Sequence, residues 1–201
     1  MPLLVLGWML VFASPASALV FTAEFGSEGT GNGQFETPQG IAVGPSGDIY
    51  VADTGNDRIQ QFDGTGSFIR AWGGFGSANG EFTSPQDVAV DFAGNVYVAD
   101  TGNNRVQKFG PGGTFLAQWA GYGSGRTGFN GPTGVATDPS GNVYVVDAGN
   151  YLVQKFDSGG TFVTQWGSHG TATGQFGTMA GIGTDFSGNV YVPDSSNDRI
   201  E

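Results

Sequence analysis

The stretch VYVADTGNNRVQKF (Val96 to Phe109) brings Asp100, Asn103 and Arg105 into a window of six positions. An acid, an amide and a guanidinium this close could converge on a substrate as acid–base and electrostatic groups. A carboxylate accepting two bonds from a guanidinium fork could equally be the internal fastening of a fold. The rest of the chain bears on the choice, because the same types return at a fixed interval of 47 residues: Asp53, Asn56 and Arg58, then Asp147 and Asn150, then Asp194, Asn197 and Arg199. Groups tiled once per unit are spread around a structure rather than gathered at one point. Asp53, Asn56, Arg58, Asp100, Asn103, Arg105, Asp147, Asn150, Asp194, Asn197 and Arg199 are therefore read as hairpin fasteners, with Asn103 at the left-handed position of its turn, which asparagine tolerates. No catalytic residue is assigned.

Departures from the repeat are the better site candidates. The third unit has Tyr151-Leu152 where the others have Asp57-Arg58, Asn104-Arg105 and Asp198-Arg199, so Asp147 should lack a guanidinium. The edge carrying Asp57, Asn104, Tyr151 and Asp198 is a candidate docking surface, with Tyr151 as the distinctive contact. A second candidate is the ring of residues after the repeated prolines, Gln39, Gln86 and Thr133, joined by Asp87, which stands where other units have Gly40, Gly134 and Gly181. The turns containing Thr54, Thr101, Ala148 and Ser195 are expected to crowd the same place. No metal site is assigned and no cofactor is expected; an oxygen-seeking cation such as calcium at Asp87 is the one exception considered.

Composition narrows the classes. The chain has 201 residues, Gly 37, no cysteine, one histidine (His169) and a formal net charge of −11, and its first cation is Arg58. Nucleic-acid affinity rests on Lys and Arg displacing counterions, so nucleic acid is excluded as a partner. Without cysteine there is no disulfide, thiolate zinc site or thiol nucleophile. His169 lies in GSHGTATG with no nucleophile motif beside it and is read as loop. LLVLGWMLVFA (Leu3 to Ala13), followed by SPASA, is too short to cross a ~30 Å bilayer, which takes about 20 residues. It reads as a signal peptide over residues 1–18, cut after Ala18, which predicts export and no stable membrane insertion.

The elements that must position these residues follow from the repeat. In the second unit DVAV (Asp87 to Val90), NVYVAD (Asn95 to Asp100), RVQKF (Arg105 to Phe109) and TFLAQW (Thr114 to Trp119) are predicted strands, separated by the turns DFAG, TGNN and GPGG. Gly, Asn, Asp and Pro supply the turn conformations between runs of Val, Tyr and Phe. NVYVAD is apolar on both faces, Val96 and Val98 against Tyr97 and Ala99, as in a sheet sandwiched between two others. Four antiparallel strands at this interval describe an all-β fold, a β-propeller of four-stranded blades around a central channel. The units run roughly over 33–73, 80–120, 127–167 and 174–201, within a domain of 19–201. VFTAEFG aligns with fourth strands, so residues 20–26 are expected to serve a preceding or closing blade. The Gly-x-Gly linkers precede no helix and are not phosphate loops.

SPQDVAVDFAGNVYVADTGNNRVQKFGPGGTFLAQW, and its counterparts, closely resemble the NHL repeat over about residues 20–201. That resemblance implies a propeller, usually six-bladed, whose channel-mouth ring holds ligands. Four units allow either a closed four-bladed ring or the front part of a longer propeller, and the stop within a third strand at NDRIE favours the latter. An exposed blade face would then promote self-association. The expected function is an exported, non-catalytic scaffold binding a protein, glycan or small molecule through its loop face. The alternative is a lyase or hydrolase with a metal in the channel, its site completed by blades missing from this chain.

Overall fold

The computed structural model describes residues 24–119, 121–123 and 128–201; the expected signal peptide (1–18) and the expected strand residues 20–23 fall within residues 1–23, outside the described residues. Three units are complete four-stranded antiparallel sheets whose strands lie in chain order. The first blade is β1 (Ile41–Val43), β2 (Ile49–Asp53), β3 (Arg58–Phe62) and β4 (Phe68–Gly73). The second is β5 (Pro85–Val90), β6 (Val96–Asp100), β7 (Arg105–Phe109) and β8 (Phe115–Trp119). The third is β9 (Pro132–Thr137), β10 (Val143–Asp147), β11 (Leu152–Phe156) and β12 (Phe162–Trp166). Each β2-type strand turns into the next through a short 3-10 segment such as Thr101–Asn103.

The two-sided apolar pattern does what it implies. Val96 and Val98 pack with Tyr50, Ala52 and Ile59 of the preceding blade, while Tyr97 and Ala99 pack with Val135, Val143 and Val145 of the following one. Burying each such valine contributes about 1.5–3 kcal/mol, so one strand stabilises two joints. An aromatic contact repeats with the same interval. Trp72 meets Phe109 at 5.9 Å and Trp119 meets Phe156 at 6.2 Å. Phe25 meets Phe62 at 5.0 Å, so this N-terminal residue holds, against the first blade, the place of a preceding blade's outer strand.

The fourth unit is less regular. Its strands are short: β13 (Gly183–Thr184), β14 (Val190–Tyr191), β15 (Pro193–Asp194) and β16 (Arg199–Ile200). Pro193 sits where Ala52 donates its N–H to the Gly40 carbonyl at 2.9 Å. Proline has no N–H to give, so the predicted single strand VYVPD is split in two.

A closed four-bladed ring is not what the described residues form. Ile41 is 63% exposed, although its counterparts Val88 and Val135 are each 3% exposed. At the other end Tyr191 and Ile200 are 47% and 65% exposed, where Tyr97 and Val106 are fully buried. In a ring of four these two faces would cover one another. They do not, and the units make an open arc around the channel.

Candidate functional site

The Asp-x-x-Asn-x-Arg trio faces into its own blade. In the second unit Asp100 is fully buried and accepts from the Arg105 Nε at 2.6 Å, the Gln107 amide at 3.0 Å, the Asn103 amide at 3.0 Å and the Thr83 N–H at 2.8 Å. Of the remaining guanidinium hydrogens, three go to the carbonyls of Ser77, Ala78 and Glu81 in the linker that enters the blade, and one to the Gln118 side-chain oxygen on the blade's own fourth strand. Arg58 repeats this with Asp53 and the carbonyls of Thr30, Gly31 and Gln34. The trio therefore clamps a glycine-rich linker as well as a hairpin. Sequence reasoning missed a fourth member, the fully buried glutamines Gln60, Gln107 and Gln154, each donating to its blade's aspartate. Their common interval of 47 was the available signal.

The left-handed residue of the turn is one place later than expected. It is Asn104, with φ 53°, rather than Asn103, and likewise Asp57, Tyr151 and Asp198. Asn103 lies in the 3-10 segment and its amide reaches Asp100 and the Gly76 carbonyl. The left-handed positions serve the joints: Asp57 accepts from the Ser84 N–H at 2.7 Å and Asn104 from the Gly131 N–H at 2.8 Å. Thr54 and Thr101 do not crowd the channel mouth either; their hydroxyls donate to the Pro85 and Pro132 carbonyls of the next blade, at 2.7 and 2.6 Å.

The third unit departs as its residues imply. Asp147, fully buried, accepts from the Asn130 N–H and the amides of Asn150 and Gln154, with Leu152 in the arginine's place. Burial pushes its carboxyl above the ordinary range despite those three donors. Tyr151 has no carboxyl or amide with which to clasp the next linker, and its ring instead packs on His169, 4.4 Å between centroids.

Gln39, Gln86, Asp87 and Thr133 do come together. They line one mouth of the channel with Gly40, Ile41, Ala180, Gly181 and Ile182, around a cavity of about 310 Å³. Asp57, Asn104, Tyr151 and Asp198 are not part of it. Inner strands approach so closely here that a Cβ on Gly40 would stand 2.5 Å from the Asp87 Cα. Asp87 accepts from the N–H of Val88 and, across the joint, of Val135, both at 2.9 Å. Burial outweighs these two bonds and pushes its carboxyl up to about 6. Among the described residues it is the sole acid lining the mouth, and no three His, Cys, Asp or Glu side chains gather as metal ligands would.

The arrangement can be set against known proteins. The NHL repeat family model matches residues 35–62, 82–109 and 129–156, which are the linker-to-third-strand portions of the three complete blades. Over 50 residues the chain is 50% identical to the B-box type zinc finger protein ncl-1 of Caenorhabditis elegans, 25% of this chain and 6% of that protein. Human NHL repeat-containing protein 3 is 44% identical over 48 residues, 23% of this chain and 14% of that protein. The chain thus matches only a small part of these relatives' length. Among solved structures, a chain of a nidogen/laminin complex and streptogramin B lyase superpose with TM-scores of 0.63 and 0.62, at 20% and 16% identity. Those matches cover 82% and 81% of this chain and 59% and 50% of the other, and at such identities they speak for the fold alone.

Proposed function

This chain belongs to the NHL-repeat family of β-propellers, and from that premise we propose that it is a non-catalytic binding scaffold. Its ligand, a protein, glycan or small molecule, is held on the linker-and-turn face over the mouth lined by Gln39, Gln86, Asp87 and Thr133. One observation carries this reading. The repeated aspartates and arginines are turned into their blades and occupied there, so the mouth is left with amides, a hydroxyl and one carboxyl. Such groups orient a ligand by hydrogen bonds, and among the described residues lining the mouth that carboxyl has no second acid or base with which to share proton transfer. The apolar segment Leu3 to Ala13 and the cleavage pattern ending at Ala18 support export of the mature chain.

A glycan and peptide array probed with the purified chain and with a Gln39→Ala/Gln86→Ala variant tests the proposal. Ligands of the mouth should bind the parent and bind the variant at least tenfold more weakly, with the melting temperature unchanged. Retention of every ligand by the variant would remove the mouth from consideration.

A further inference from the structure

The other end of the channel is built differently. There the turns between the first and second strands of all four units surround a cavity of about 260 Å³, walled by Val43, Val90, Pro45 and Pro139 with Phe92 and Phe186. Phe92 is 63% and Phe186 88% exposed, and neither belongs to the clusters that join the blades. The positions alternate, proline in the first and third units and phenylalanine in the second and fourth. Two phenyl rings on tight turns, facing a cavity and adding nothing to blade packing, are a binding feature rather than a folding one.

The electrostatics say what fits between them. Asp91, Asp138 and Asp185 stand in three of these four turns; of the nearby cations, Lys108 and Lys155 on the third strands lie over the rings of Tyr97 and Tyr144, and Arg70 donates to the Gly112 carbonyl. Each aspartate's acceptors are filled from within its own turn and strand. Asp91, for instance, takes the N–H groups of Ala93 and Asn95, the Asn95 amide and the Tyr97 hydroxyl. Thr137 and Thr184 likewise spend their hydroxyls on the Val90 and Thr137 carbonyls. The carboxylates thus attract a cation by their field yet have little left with which to receive an N–H donor. A cation without N–H hydrogens suffers no loss there, and aromatic faces attract it directly.

We propose that this second mouth binds a soluble quaternary ammonium compound bearing an apolar group, held between Phe92 and Phe186. The test is a calorimetric titration of the purified full chain with benzyltrimethylammonium, benzylamine and benzenesulfonate at low salt. Saturable binding of the first, at least tenfold tighter than the second and with none of the third, is expected. Phe92→Ala/Phe186→Ala should weaken it at least tenfold without moving the melting temperature, and Gln39→Ala/Gln86→Ala should leave it intact. Phe186→Trp should keep binding and report it as a change in indole fluorescence. Equal affinity for the sulfonate, indifference to the double variant, a silent Phe186→Trp, or pelleting with phosphatidylcholine vesicles without binding of the free cation would each overturn the proposal.

Discussion

In the second blade Asp100 meets Arg105 at 2.6 Å, whereas in the third Asp147 stands beneath Leu152 and relies on three neutral donors. Both carboxylates are fully buried, and both blades have the same four strands. The hairpin therefore does not need the guanidinium in order to form. What the arginine adds is a hold on the incoming linker and a counter-charge for a buried acid. The contrast extends to titration. Asp147 is pushed up by burial, while Asp194, for which burial acts the same way, ends lower than usual because Asn197, the Gly177 N–H and Arg199 outweigh it.

The largest expected effect separates the two blades directly. Asp100→Ala leaves the Arg105 guanidinium without its carboxylate and should cost about 3–5 kcal/mol, as removal of one member of a buried pair does. Asp147→Ala strands only neutral donors and should cost about 1–3 kcal/mol. Denaturant unfolding of both variants measures the difference; equal losses would dissolve the comparison.

Next in size is a pH effect at the joint between these blades. With its carboxyl raised to about 6, Asp87 binds its proton more tightly in the folded protein than in the unfolded chain. Its contribution to stability is complete below the ordinary carboxyl range and is lost as pH rises through about 6. Asp87→Gly, which restores the residue of the other units, should remove up to about 3 kcal/mol of that decline between pH 4 and 7. Unfolding measured across this range should show parent and variant converging toward acid; parallel curves would contradict the raised carboxyl.

The smallest effect concerns the turn. Tyr151 occupies a left-handed conformation, φ 57°, that Asn104 adopts more readily. Tyr151→Asn should raise stability by about 1 kcal/mol, by removing strain and supplying an acceptor for the next linker. Loss of stability would instead show that the tyrosine's packing on His169 matters more.

Much of the fold was legible because its signals are local. The interval of 47, the turn residues and the two-sided apolar strands are read directly, and the mouth residues Gln39, Gln86, Asp87 and Thr133 followed from their place after the prolines. Pro193 could have been read as a break, since a missing ladder donor is visible in a one-letter code. The glutamines' recurrence every 47 residues was visible too, but not their burial, because a polar residue in a strand looks alike whether it faces solvent or a carboxylate. The second mouth escaped notice because Phe92 and Phe186 look like core residues until their exposure is known.

The chain's own residue pattern is enough to specify the repeating unit: its strands, its turns and which face of each strand is apolar. These depend on alternation and backbone preference over a few residues. It took the packed blades to reveal that the fasteners clamp linkers, that the Thr54 and Thr101 hydroxyls bond to the next blade, and that the two channel mouths differ in chemistry. Those outcomes depend on how whole sheets lie against one another, and spacing along a chain carries no record of which atoms will meet across a joint.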